Sequence, residues 1–368
     1  LSNPVKTLEV DGSTGEGGGQ IFRLSLALSA LTGRRVRVTR IRAGRPKPGL
    51  ARQHLAAAEA LMDLCRGDAE GLELGSTSVA FRPGGIRGGR LNVDVGTAGS
   101  VTLVLQAVLV PALFAVQPTT LTIRGGTDVR WSPPAEYTRS VFLPLLAGMG
   151  GNASFHVQRR GYYPRGGGRV RADIAPVPSL TPFPGEAMGQ LLHIGGYAHA
   201  SNLPTHVAER MKGRSEEILA DFQPIAIETF TYGVREAEGR GGSLVLWAKT
   251  KASRIGASAI AEKGVSAETL ADRAARELRN DLRSEVTLDR YAADQLLPYM
   301  ALASGTSVFW VREVSNHLRT LFWLLPQFLD VSIQTRVEGR RTRVEVNPSR
   351  TWRSTGTPSA AGPRGPDG

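Results

Sequence analysis

The sequence predicts an α/β protein arranged in α+β layers: a large domain of three repeated β-α-β-α-β-β units, interrupted by a smaller inserted α/β domain. Three observations lead there. First, GEGGGQIFRLSLALSALTGRRVRVTRIRAG (residues 15–44) is echoed by GTAGSVTLVLQAVLVPALFAVQPTTLTIRGG (residues 96–126). Each reads as a glycine-rich turn, an apolar helix, a connection, and a strand ending Ile-Arg-(Ala/Gly)-Gly. Second, a similar pattern returns near the end of the chain. Third, the stretch between, residues 186–286, has a different texture.

Taken in order, each early repeat continues with a proline-containing loop and a second helix, PGLARQHLAAAEALMDLC and PPAEYTRSVFLPLLAGMG. Strands close each unit, near TSVAFRPG in the first and across ASFHVQRRGYYPRGGGRVRADIAP in the second. The middle stretch offers a strand in GQLLHIGGYAHA and a helix in HVAERMKGRSEEILADF. Strands follow in GSLVLWAKT and RIGASAIAEK, and then an amphipathic helix, SAETLADRAARELRNDL. The third unit reads as a helix (ADQLLPYMALASG), a strand (TSVFWV), a helix (VSNHLRTLFWLLPQFL) and a hairpin (VSIQTRVEGRRTRVEV). The large domain therefore spans residues 1–185 and 287–346, with the insert at 186–286. Residues 347–368 are rich in Pro, Gly, Ser and Arg with little to bury, and are expected to be a disordered tail.

The chain has 368 residues, of which 41% are hydrophobic, enough for a large core. It lacks both an apolar run of membrane-spanning length and a secretory pattern at its start. With a single cysteine, Cys65, no internal disulfide can form, and a cytoplasmic protein is expected. The net charge is +12, which suits a polyanionic partner. It is unevenly spread: from Gly17 to Ala58 there are nine Arg and Lys residues and no acid. In an arginine-rich chain a solvated surface accounts for this equally well. Arg42, Arg45 and Arg52 stand beside other polar signals and are the better phosphate candidates.

The turn GSTGEGGGQIFR places one acid, Glu16, among glycines at the start of a buried helix. Glycines let backbone N–H groups approach an anion, and a helix start adds a favourable dipole. The turn matches neither the P-loop nor the dinucleotide fingerprint, and tight packing of turn on helix would also explain it. An acid among donors meant for phosphate makes sense if a divalent ion lies between them. Ser315 or Asn316 could cap the last long helix, with His317 in its first turn. No Cys/His cluster has zinc spacing.

At these residues the sequence resembles the RNA 3'-terminal phosphate cyclases. The resemblance is carried by GEGGGQIFR (15–23), RAGRPKPGLARQH (42–54), GSVTLVLQ (99–106), GGTD followed by SPP (125–134), GYYPRGGG (161–168), YAADQLLPYMALA (291–303) and SNHL (315–318). It runs in order from about residue 10 to residue 346. The insert matches only loosely. The resemblance implies ATP-dependent conversion of an RNA 3'-terminal phosphate to a 2',3'-cyclic phosphate, with ATP, a divalent metal (Mg2+ or Mn2+) and the RNA as partners.

By the same resemblance, His317 is the nucleophile that takes AMP, Glu16 holds the metal, and Asp294 orients or acts electrostatically. Pro133 and Tyr291 sandwich the adenine. Gly17, Gly18, Gln20, Gln106 and Gln295 line the nucleotide site. Arg23, Arg42, Arg45, Arg52 and Gln53 face the substrate phosphates. The chain departs from the family in VREVSNHL, where Arg312 and Glu313 add charge before the histidine. Two other readings stay open. A cyclase-like ribosome-assembly factor that binds RNA without catalysis would lack the histidine. An enolpyruvyl-transferase-type enzyme shares the repeated unit but would need no such basic charge. Neither membrane association nor an oligomeric state is indicated.

Overall fold

The computed structural model describes residues 6–349 and 352. The chain is a mixed α/β protein. It opens with β1 (Leu8–Asp11), α1 (Gly19–Thr32) and β2 (Val36–Thr39), and α1 carries the chain across so that β2 lies parallel to β1. From Ile21 to Leu31 every residue of α1 except Arg23 is buried, which is why its sequence is apolar all round. Gly33, at φ 69°, ends the helix in the left-handed conformation. β2 stops at Thr39, sooner than the Ile-Arg-Ala-Gly pattern suggests. Arg40 and Arg42 take φ of 49° and 57° and turn the chain out of the sheet. Next come α2 (Arg52–Cys65), β3 (Asp68–Glu70) and β4 (Val79–Arg82), giving the strand order β1-β2-β4-β3.

β5 (Gly89–Asp94), α3 (Val101–Ala112) and β6 (Thr119–Gly125) follow. The next helical stretch runs through α4 (Ala135–Tyr137), a π-helical turn (Thr138–Phe142) and α5 (Leu143–Gly148), then β7 (Asn152–Gly161) and β8 (Gly168–Ala175). Within this sheet the order β5-β6-β8-β7 repeats that of the first. In both, the first two strands are parallel and the other pairs antiparallel.

The chain then passes Leu180 and Pro184, which bridge in parallel to Ala303 and Val308. It continues into β9 (Leu191–Ser201), α6 (His206–Ile218), β10 (Ile225–Tyr232), β11 (Ala237–Glu238), β12 (Gly241–Thr250), β13 (Arg254–Ile260) and α7 (Ala267–Arg283). These make a sheet of order β10-β9-β12-β13, while β11 pairs with β7. The last elements are α8 (Arg290–Met300), β14 (Ser307–Val311), α9 (Asn316–Phe328), β15 (Val331–Glu338) and β16 (Arg341–Pro348), with order β14-β16-β15. β16 extends to Pro348, two residues into the segment expected to be a tail. Apart from Ser349 and Trp352, the rest of that segment lies outside the described residues.

Two apolar clusters hold the molecule. One joins α1, α2, α3, α8 and α9 to the inner faces of three sheets, from Val10 to Val346. The other gathers Ile194, Leu246, Leu270, Leu278 and their neighbours, with Trp310 reaching in. A fully buried Leu or Phe stabilises by about 1.5–3 kcal/mol relative to exposure. Among the described residues no helix is long and apolar enough to cross a membrane.

A buried polar cluster joins β7 to β9 and β12. Arg160 pairs with Glu136 and, at 3.5 Å, with Asp128, and lies 4.8 Å from the ring centroid of Tyr232. Asp128 accepts from Thr127 (2.7 Å) and Ser243 (3.0 Å). His199 is fully buried, with Nε2 3.0 Å from the Tyr162 hydroxyl and 3.9 Å from Asp128. Burial, then Arg160, push its pKa down to about 3, while Asp128 pulls the other way. Nothing in the local sequence marks these groups as partners.

Candidate active site

The starts of four helices converge. At α1, Gly19 faces the His54 ring of α2: a Cβ on Gly19 would stand 2.2 Å from His54 Nε2 and 2.9 Å from Arg23 Nη1. At α3, the Ser100 N–H donates to Gln53 Oε1 on α2 at 3.1 Å. At α9, His317 in the first turn reaches Gln20 in the first turn of α1. Each helix start carries partial positive charge and backbone donors, so their convergence builds a site for anions.

The glycines permit this approach. Gly15, at φ 60°, leaves no room for a side chain, since a Cβ would meet Thr320 Oγ1 on α9 at 2.2 Å. Gly17, at φ 57°, packs backbone to backbone on Gly44, whose N–H donates to Gly17 O at 3.2 Å. The glycine-rich turn is thus wedged between α9 and the 40–45 turn. Gly18, the residue ahead of α1, has no side chain to cap it.

Cations gather around the helix starts. Arg45 Nη2 donates to Glu16 Oε1 at 2.5 Å, and Arg42 Nη1 to Gly49 O at 2.6 Å. Among the described residues Arg23 has no acidic partner. Burial, and after it Arg42, push its pKa down to about 10. An enclosed guanidinium beside a second one lacks the counter-charge that an incoming anion would bring. His54 Nδ1 accepts from the Ala51 N–H at 3.1 Å. Burial and the two arginines hold its pKa at about 3, so the ring is neutral and its hydrogen sits on Nε2.

His317 stands at the second position of α9, behind Ser315. The Ser315 hydroxyl accepts from the Leu318 N–H (2.9 Å) and donates to Asp294 Oδ1 (2.7 Å). His317 Nδ1 lies 2.8 Å from Glu16 Oε2 and 3.0 Å from Gln20 Oε1. Two oxygens facing one ring nitrogen require a proton on it. Burial lowers the pKa of the ring, Arg23 and Arg45 lower it further, and Glu16 opposes them. A neutral ring protonated at Nδ1 keeps its lone pair on Nε2. The side chain is 44% exposed, so that lone pair is reachable from solvent. Asp294, enclosed in α8, is pushed up to about 7 by burial against the Ser315 bond.

Further along α8, Gln295 Oε1 accepts from Gln106 Nε2 of α3 (2.9 Å), and its amide donates to Tyr291 O (3.0 Å). Tyr291 is half-buried, with the Arg290 guanidinium 4.7 Å from its ring centroid. Pro133 is half-buried, and its carbonyl accepts from Thr102 Oγ1 (2.9 Å). Direct contacts therefore link Glu16, Gln20, Arg45 and His317, and separately Gln106, Gln295 and Tyr291. Gln53 joins through α3, and Asp294 through Ser315. Arg52 is exposed at the start of α2 and makes none of these contacts. The charge of Arg312 is absorbed elsewhere: its guanidinium pairs with Asp281 and, at 2.6 Å, with Glu277 of α7.

Among the described residues no group of three or more His, Cys, Asp or Glu side chains could cage a metal. Glu16 Oε2 is nevertheless buried without a well-formed hydrogen bond. The two oxygens of Glu16 face Arg45 and His317 Nδ1, so a divalent ion held by this one carboxylate would take the place of one of these neighbours and be completed by ligands the substrate brings. Sequence reading missed Ser315 as the link to Asp294, and it missed Asp289. Asp289 caps α8, accepts from Tyr137 (2.6 Å) and Gly256 (2.8 Å), and its place before an apolar helix was the available signal.

The family model for RNA 3'-terminal phosphate cyclase matches residues 14–335. An RNA 3'-terminal phosphate cyclase of Nitrosospira multiformis is 49% identical over 92% of this chain and 96% of its own length. A protein of the same name from Methanopyrus kandleri is 46% identical over 94% of this chain and 99% of its own. Another from Methanosarcina barkeri is 43% identical over 93% of this chain and its whole length.

Proposed function

The chain belongs to the RNA 3'-terminal phosphate cyclase family, and on that premise we propose that it activates an RNA 3'-phosphate with ATP through a histidine-bound AMP. The carrying observation is the His317 ring, hydrogen-bonded at Nδ1 to Gln20 with the Glu16 carboxylate 2.8 Å away and Nε2 open. In this reading the Nε2 lone pair attacks the α-phosphorus of ATP, and the bond to pyrophosphate breaks. The ring gains positive charge as the N–P bond forms, and the Glu16 carboxylate beside Nδ1 offsets it. An oxygen of the RNA 3'-phosphate then attacks the same phosphorus, the N–P bond breaks, and an RNA-adenylate (RNA 3'-pp-5'A) results. The neighbouring 2'-OH attacks the 3'-phosphorus, loses its proton, and expels AMP to close the 2',3'-cyclic phosphate.

The chemistry calls for this order. A phosphate monoester has a poor leaving group; AMP replaces it, and the 2'-OH is already within reach. Arg23, Arg42 and Arg45 suit the charge on the phosphates. Pro133 and Tyr291 suit the two faces of adenine, and Gln106 and Gln295 its polar edge. Asp294 sets the α9 cap through Ser315. A divalent ion, Mg2+ or Mn2+, would be held by Glu16 and would neutralise triphosphate charge. We read the two matching sheets and the β14-β16-β15 sheet, completed by the Leu180–Pro184 stretch, as three copies of one unit. Residues 186–286 are then an insertion, which its separate apolar cluster supports.

Incubation with α-labelled ATP and a divalent metal should leave acid-labile, alkali-stable label on the protein. His317→Ala should abolish it, and undiminished label on that variant would end the assignment. RNA with a 2'-deoxy 3'-phosphate terminus should stop at the adenylate.

A further inference from the structure

We propose that Trp131 and Tyr163 form a stacking platform for unpaired bases at the RNA 3' end, on the rim of the site described above; this rests on RNA being the substrate. Both rings stand out of the protein. Trp131 is 91% exposed and Tyr163 81%, and among the described residues neither takes part in an aromatic or cation–π contact. Their loops are tied to each other, the Thr127 N–H donating to Gly161 O, so the two open rings rise from neighbouring positions and offer π-faces to a ligand.

The two rings are rigidly mounted. Trp131 has φ 69°, a conformation that disfavours a bulky side chain and marks positions held by their surroundings. Its loop is tied on every side. Thr127 N–H donates to Gly161 O (2.8 Å), Ser132 Oγ to Val129 O (2.9 Å), and Arg130 pairs with Glu262. Two residues on, the Pro133 carbonyl is held by Thr102 in the first turn of α3. Tyr163 sits on the β7–β8 hairpin, whose tip is pressed against the turn before α3. A Cβ on Gly166 would stand 2.5 Å from Thr97 O. Both loops are therefore anchored to the end of α3 that opens on the site.

Their setting favours nucleic acid over a protein partner. Arg124 and Arg169, opposite each other on β6 and β8, are exposed at the end of the strands where these loops emerge, with Arg124 also 3.5 Å from the exposed Asp94. Arg165, on the hairpin itself, keeps 78% of its side chain exposed and lies 3.7 Å from Glu238, a surface pair that a phosphate can displace. Exposed aromatic faces beside arginines bind single strands by stacking and backbone attraction without reading sequence.

The test measures binding of a dye-labelled, 3'-phosphorylated single-stranded RNA to the full chain by fluorescence anisotropy, without ATP. Trp131→Ala should weaken binding about 5- to 100-fold and Tyr163→Ala less, and Trp131→Phe should restore most of it. A blunt duplex of the same sequence should bind equally well to all forms. Unchanged single-strand affinity in both alanine variants overturns the platform. So does an equal loss on the duplex, or a Trp131→Ala loss that appears in labelling by ATP instead, which would put the ring on the nucleotide. Because binding is read without ATP, a wild-type chain that binds RNA yet takes no label defeats the adenylyl-transfer reading and leaves this one standing.

Discussion

Replacing Arg160 by methionine removes the one cation between two buried carboxylates. Glu136 keeps Arg139 at 2.6 Å, so the uncompensated charge falls on Asp128, which retains Thr127, Ser243 and a neutral His199. Breaking a buried pair from one side costs about 3–5 kcal/mol, and these remaining partners put the expectation near 3 at pH 7. His199 makes the cost depend on pH. Its folded pKa, about 3, lies below the ordinary histidine value of 6.5. The unfolded chain therefore takes up the proton first, and stability falls as pH drops from about 6.5 towards 3. Between pH 7 and 5 this single group removes about 2 kcal/mol from the wild type. Without Arg160 only burial still opposes the pull of Asp128, so His199 protonates more readily in the folded state, where it can pair with that carboxylate. The gap between variant and wild type should then shrink from about 3 kcal/mol at pH 7 on acidification to pH 5, by at most the roughly 2 kcal/mol that His199 removes from the wild type. His54, also held near pKa 3, contributes the same acid loss to both proteins. Denaturant melts at the two pH values measure this. A gap that stays constant or widens on acidification, or one below about 1 kcal/mol at pH 7, would refute the account.

Gly15→Ala should impair labelling by ATP at least tenfold, because its new methyl group meets Thr320 and displaces the helix that presents His317. Adding Thr320→Ala, which removes the Oγ1 at 2.2 Å, should recover much of that loss; no recovery would show that backbone strain alone is at fault. Ser315→Ala should cost about 1 kcal/mol of stability through the lost α9 cap, and slow labelling, whereas Ser315→Thr should restore both in melts and labelling rates.

Much of the layout could be read from periodicity. The buried runs of α1 and α3, the amphipathic α7 and the closing hairpin each carry their pattern within a dozen or so residues. β10 was not read: IAIETFTY is half-exposed, and its place is set by pairing with β9. The helix start that holds His317 was legible because a cap residue, Ser315 or Asn316, precedes an apolar run, whereas the role proposed for His317 came from the family resemblance. What could not be read were contacts made only by the fold: Ser315 with Asp294, Gln20 with His317, and the whole set around Arg160. These residues are ordinary polar ones until the sheets bring them together. The charge of Arg312, which looked disturbing next to the histidine, turns out to fasten β14 to α7.

Gln20 and His317 touch although 297 positions separate them along the chain. During synthesis the glycine turn emerges early, while the imidazole that it will steady is still far from being made. On the mechanism proposed above, a growing chain thus carries Arg23, Arg42 and Arg45 long before it holds the histidine that would take the nucleotide. A product that ends before α9 is then predicted to take no label from ATP, because it lacks His317.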